Sequence, residues 1–239
     1  MAQRVLVCGG GSGIGAATAA LFAGRGADVV ITGRNEERLA KTAANIDGNV
    51  TGRRMDAASG EQVAAFFAAG ATYDHLVLAL SGGSGAGPFA TLDLDELRDG
   101  FEGKFWPHLR LLQAALPHLA EDGSVTLLTA SSARAALPGT SGLAAINGAL
   151  EAVVRPLAAE LAPRRVNAVS PGVIETPWWD ALPEARRAAV FAEHAAALPV
   201  GRVGRPEEVA EAVVLAATNG FITGQVIECN GGLTLPTGR

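Results

Sequence analysis

The strongest constraint on this chain sits near its amino terminus. Residues 4–8 form a short apolar run, and Gly9-Gly10-Gly11-Ser12-Gly13-Ile14-Gly15 follows at once. The next stretch is rich in small residues, with Ala16, Ala17, Ala19 and Ala20. Glycines permit positive φ and let a backbone approach a diphosphate with no Cβ in between. A helix opening directly after such a turn presents free N–H groups and the positive end of its dipole. A glycine string alone can be a flexible turn. The strand–turn–helix context is what makes it a phosphate cradle, and it requires an α/β layer.

The rest of the chain continues that pattern. Strands are expected at 28–32, 50–55, 75–80, 124–129, 165–170 and 225–229. Helices are expected at 14–25, 36–46, 61–69, 93–119, 143–161, 184–197 and 206–219. Pro107 is expected to bend the long 93–119 helix, and Pro156 to interrupt 143–161. Runs apolar on both faces, alternating with helices, indicate a parallel sheet covered on both sides. Right-handed crossovers make it doubly wound. No linker, fixed-period repeat or low-complexity tract divides the chain, so residues 1–239 read as a single domain, Rossmann-type, with about seven strands.

Composition excludes several classes. With 49% hydrophobic and 18% charged residues, the chain can bury a sizeable core. A net charge of −5 with no basic block argues against nucleic acid. No run of about 20 apolar residues suits a membrane span, and no secretory leader pattern is visible, so a cytoplasmic location is expected. Cys8 and Cys229 lie in apolar runs and read as buried thiols. His75, His108, His118 and His194 are scattered without zinc-ligand spacing, so no metal is expected.

The spacing of Gly9, Gly13 and Gly15 resembles that of the short-chain dehydrogenase/reductase family, with Cys8 where the family has Thr. The likeness extends along the chain through Asp56, Asn167-Ala168-Val169-Ser170-Pro171-Gly172, Thr176-Pro177, the 201–210 segment, Ile222-Thr223-Gly224-Gln225 and Asn230-Gly231-Gly232. The resemblance implies a nicotinamide dinucleotide held by Gly9, Gly11, Ser12, Gly13, Ile14 and Gly15. It adds Asp56 and Ala57 on the adenine side, Ser81 and Gly82 after the fourth strand, and Pro171, Gly172, Val173 and Thr176 on the nicotinamide side. It also implies a substrate lid around 175–200 and assembly into homodimers or homotetramers.

The second strand ends in Thr32-Gly33-Arg34. A site that prefers NAD usually carries a carboxylate there for the ribose 2′-OH, and Gly33 cannot supply one. Arg34 suits a 2′-phosphate. NADP(H) is therefore expected as the cofactor, with NAD(H) as the alternative.

The family's chemistry uses Asn, Ser, Tyr and Lys. By flanking landmarks those positions are Lys104, Ala130, Leu143 and Asn147 in this chain. The single tyrosine, Tyr73, precedes the fourth strand. The candidates left are Lys104 as proton donor or oxyanion holder, Ser131 beside the missing serine, and Asn147 as a ribose contact. Arg134 is a candidate clamp for an anionic substrate, and Trp178 a candidate apolar wall in the lid. Three readings follow. The first is an NADP(H)-dependent oxidoreductase acting on a small to medium apolar carbonyl or conjugated carbonyl. The second is a dinucleotide-binding homologue without chemistry, serving as partner subunit or redox-responsive regulator. The third is an isomerase or lyase that uses the nucleotide without net turnover.

Overall fold

The structure, a computed structural model, describes residues 2–235. Seven strands form one parallel sheet: β1 (Arg4–Cys8), β2 (Asp28–Gly33), β3 (Val50–Arg54), β4 (Tyr73–Leu78), β5 (Leu119–Leu128), β6 (Arg165–Pro171) and β7 (Val226–Cys229). Their order is β3-β2-β1-β4-β5-β6-β7. The chain moves outward from β1 to β3, then returns to β4 and builds the other half. This reversal opens a crevice above the carboxyl ends of β1 and β4, where ligands bind in such sheets.

The described residues form eight α-helices: α1 (Gly13–Gly24), α2 (Glu36–Ala44), α3 (Gly60–Phe67), α4 (Leu94–Gly100), α5 (Trp106–Ala115), α6 (Ser141–Glu160), α7 (Glu184–Ala197) and α8 (Pro206–Thr218). Side chains alternate along each strand, so both faces are apolar. Val5, Val7, Phe22, Ile31 and Val213 pack on the α1/α8 face. Leu6, Leu78, Leu111, Leu127 and Leu150 pack on the α5/α6 face. These two buried layers are what a parallel sheet with helices on both sides requires.

Three expected elements differ. The 93–119 helix is α4 and α5 joined by a π-helical turn, Phe101–Phe105. Pro107 has no N–H to continue the ladder, and Trp106 N–H bonds back five residues to Phe101 O. Pro117 then closes α5 in a 3-10 turn, and the next strand begins at Leu119 rather than at 124. Leu119 pairs with Tyr73, residues 120–123 loop out, and pairing resumes at His75 with Ser124. The third difference lies in α6, which runs unbroken through Pro156. Pro156 and Ala152 are both exposed, so water can take the carbonyl that the missing N–H leaves free.

Candidate active site

The glycine turn is shaped by contact. Gly9 has φ +87°, and a Cβ there would lie 2.4 Å from Ala79 O on the neighbouring loop. A Cβ on Gly15 would lie 2.2 Å from Gly9 O. The N–H groups of Gly9 and Gly10 both bond to Thr32 O, which anchors the turn to β2. Ser12 stands at the N-cap of α1 and makes no side-chain capping bond. The first-turn amides of α1 are therefore left for a ligand.

Two continuous hollows open over this turn. The first, about 590 Å³, holds Gly11, Gly33, Arg34, Asp56 and Ala57. The second, about 460 Å³, holds Gly13, Ile14, Gly15 and Lys104. Gly9, Ser12, Arg38, Ser81 and Gly82 line both, so together they form one trough. Pro171, Gly172, Val173 and Thr176 line the second hollow, as do Ser131, Asn147 and Trp178.

Arg34 is exposed at the far end of the trough. Arg38, one turn into α2, joins it and was not singled out by sequence. The signal was there in Asn35, which caps the α2 amide of Arg38 at 2.8 Å and so fixes where the helix begins. Two guanidinium groups beside Gly33 suit a phosphate monoester.

The second hollow is where Lys104, Ser131 and Asn147 meet. Lys104, in the π turn, is only 8% exposed. Its Nζ donates to Asn147 Oδ1 at 2.7 Å and to Thr129 O at 3.3 Å. Asn147 Nδ2 donates to Ser132 Oγ at 3.2 Å and to Leu143 O at 2.9 Å. The cation is thus delivered from the α4–α5 side and met by an amide from α6. Desolvation lowers the Lys104 pKa to about 8. Behind it His108 is buried, with Nδ1 2.7 Å from Lys104 O and Nε2 3.2 Å from Leu78 O. Burial, and then the facing Lys104 charge, hold His108 down to about 4.

Other candidates sit differently. Ser131 lines the trough, but its hydroxyl donates to Ser170 O at 3.4 Å, and Ser132 is the serine that joins Lys104 through Asn147. Arg134 does not line either hollow. Its Nε meets Glu151 at 2.8 Å and its Nη1 meets Glu228 at 3.0 Å, so its charge is committed to joining α6 and β7. Tyr73 lies at the start of β4, at the end of the sheet away from the trough. Leu143 lines the trough.

Trp178, 49% exposed, forms part of the outer wall. It packs edge-on against Trp179, which packs against Phe191 of α7 and donates to Ile174 O at 2.9 Å. His194 of α7 and Leu233 also reach the wall, and neither was singled out from the sequence.

A doubly wound sheet, an uncapped glycine turn at its switch point and a trough crossing it define a dinucleotide-binding domain. A family profile described as Enoyl-(Acyl carrier protein) reductase matches residues 9–234. The chain is 32% identical over 255 residues to the 3-oxoacyl-(acyl-carrier-protein) reductase FabG of Thermotoga maritima, covering 96% of this chain and 97% of that protein. A small-chain dehydrogenase solved in complex with NADPH superposes with a TM-score of 0.85 at 30% identity, covering 98% of this chain and all of the other. The MalC reductase/Diels-Alderase from Malbranchea aurantiaca superposes with a TM-score of 0.88 at 28% identity, covering 98% and 97%. The chain belongs to the short-chain dehydrogenase/reductase family.

Proposed function

We propose that this protein is an NADP(H)-dependent oxidoreductase that reduces a small to medium apolar carbonyl or conjugated carbonyl, with Lys104 in the role the family gives to tyrosine. The observation that carries the reading is the Lys104 ammonium, buried in the nicotinamide half of the trough and held by Asn147 and Thr129. The turn from Gly9 to Gly15 suits the pyrophosphate, Arg34 and Arg38 suit a 2′-phosphate, and Thr176 with Gly172 lies on the nicotinamide side. The cofactor supplies the hydride. The chain's residues then have to polarise the acceptor and protect the site from water. Two of the three ammonium protons are given to protein acceptors, and the third is free for a carbonyl oxygen. Leu80, Leu137, Leu143 and Trp178 provide the apolar wall.

No helix among the described residues is long and apolar enough to cross a membrane.

The test is turnover. Purified protein is mixed with NADPH and a panel of ketones, enones and imines, and reduced-nicotinamide absorbance is followed. We expect oxidation with at least one acceptor and a loss of about 10²–10⁴-fold in Lys104→Met, the range for removing a positioned acid. For ketone reduction the rate should fall as pH rises through about 8, where the ammonium is lost. A full rate in Lys104→Met overturns the assigned role. Tight NADPH binding with no turnover on any acceptor supports the reading as a nucleotide-binding homologue instead.

A further inference from the structure

Of 19 lysines and arginines, only Lys41 and Lys104 are lysines. Lys41 is exposed on α2. Lys104 is the only Lys or Arg buried among the described residues. A chain that otherwise uses arginine thus places at its one buried cationic position the side chain that can lose its proton. A guanidinium stays charged and cannot become a nucleophile, whereas an amine can.

The surroundings of Nζ favour that use. Its two partners, Asn147 Oδ1 and Thr129 O, are both acceptors and both belong to the wall. Two N–H bonds satisfy them. The third position on nitrogen has no protein partner among the described residues, and Lys104 lines the trough. In the ammonium that position carries a proton, and in the free amine it carries the lone pair. Burial gives that free amine roughly a tenth of the population at neutral pH, set by a value near 8.

We propose that Lys104 is an imine-forming amine that adds reversibly to conjugated aldehydes bound in the trough. The inference rests on the reading of this trough as a carbonyl site and adds a covalent step to it. The nitrogen lone pair forms a bond to the carbonyl carbon. The C=O π pair moves to oxygen, which takes a proton from the nitrogen to give a carbinolamine. A second proton, from solvent, lets the hydroxyl leave as water, and an iminium remains. One aldehyde, one amine and one proton become one iminium and one water, with no change of oxidation state. Water reverses the sequence and frees the lysine. Asn147 Oδ1 can hold the nitrogen's remaining N–H throughout. Ser132 Oγ accepts from Asn147, keeps its own proton to donate, and lines the same trough. The leucines and Trp178 slow hydrolysis by limiting water, and a flat conjugated chain fits between them. An iminium draws electrons from the conjugated carbon more strongly than the parent aldehyde, so the same substrate becomes a better hydride acceptor.

The experiment traps the adduct without cofactor. Full-length protein is incubated with cinnamaldehyde and sodium cyanoborohydride at pH 8, and the sites of reductive alkylation are read by peptide mass mapping. Lys41 serves as the exposed internal control. We expect Lys104 to be alkylated about tenfold faster or more than Lys41, because each unit by which burial lowers an amine's pKa raises its free fraction about tenfold. The Lys104→Arg variant, checked for folding by circular dichroism, should lose that adduct and keep labelling at Lys41. Labelling at Lys104 no faster than at Lys41 overturns the proposal. NADPH binding is measured separately by calorimetry. Its failure sinks the cofactor reading and leaves the trapping result to stand or fall by itself.

Discussion

Burying the Lys104 ammonium costs the fold stability. Its pKa in the folded chain lies near 8, below the ordinary lysine value of 10.5. The folded state therefore holds its proton less tightly than the unfolded chain does. The penalty is fully present below about pH 8 and fades as pH rises toward 10.5. At neutral pH it amounts to about 3 kcal/mol at 1.36 kcal/mol per unit. Lys104→Met should raise the stability at pH 7 by about 1–3 kcal/mol in urea unfolding, even as function is lost. An unchanged or lower stability would mean that the hydrogen bonds to Asn147 and Thr129 outweigh desolvation. The charge at the other end of the trough is tested by Arg34→Asp with Arg38→Asp. Losing charge-assisted bonds to a phosphate should weaken NADPH about 10–100-fold and NADH far less. At this scale the sequence was legible where the requirement is local. Gly15 is dictated by backbone contact with Gly9 in its own turn, and Gly9 shows its positive φ in the same turn, whereas its contact with Ala79 O comes from a distant loop. Arg134 was not legible, because its partners Glu151 and Glu228 lie 17 and 94 residues away. Lys104 and Asn147 were each visible as candidates, while their contact across 43 residues was not.

The element that matters most is the join between α4 and α5. Pro107 read from sequence as a bend. In the structure it forces the preceding turn to widen into π geometry, and Lys104 sits in that turn. Widening shifts which side chains face the sheet, so the proline sets the direction from which the lysine enters. Pro107→Ala restores an N–H and lets the ladder return to the α pattern. We expect the thermal midpoint to hold or rise and the Lys104-dependent activity to drop at least about tenfold, a barrier change near 1.4 kcal/mol. Retained activity would show that the lysine's position does not depend on the π turn. Pro156 shows the opposite case, since α6 continues past it on an exposed face. Sequence alone treats the two prolines alike, and their burial separates them. The glycine turn makes a second prediction at this scale. Gly15→Ala places a methyl against Gly9 O and should destabilise the domain by about 1–3 kcal/mol while removing dinucleotide binding.

Across the whole molecule, each face of the sheet has a buried histidine, His75 of β4 stacked on Phe22 of α1 and His108 of α5 against Leu78 O. His108 is held down to about 4 by burial and Lys104, and burial also lowers His75 beside Ser124. A lowered histidine pKa means the unfolded chain takes up the proton first. The histidine contribution to stability should therefore be level above about pH 6.5, fall as the pH drops toward 4, and level off there for His108. The His108 share is about 3 kcal/mol. Urea midpoints measured between pH 7 and pH 4 in wild type and His108→Gln check this, with a shallower fall expected in the variant. The doubly wound parallel sheet of about seven strands was legible from alternating runs, because a parallel sheet repeats a simple rule, while the strand order came only from the structure. The identity of the chemistry was less legible, because it depends on side chains that only folding brings together. The account as a whole stands on a dinucleotide with a 2′-phosphate lying along that trough. Isothermal titration of the wild-type protein with NADPH and with NADH tests this most directly. The prediction is saturable NADPH binding at least about tenfold tighter than NADH, a difference near 1.4 kcal/mol. No heat with either nucleotide, or equal affinity for both, would contradict it.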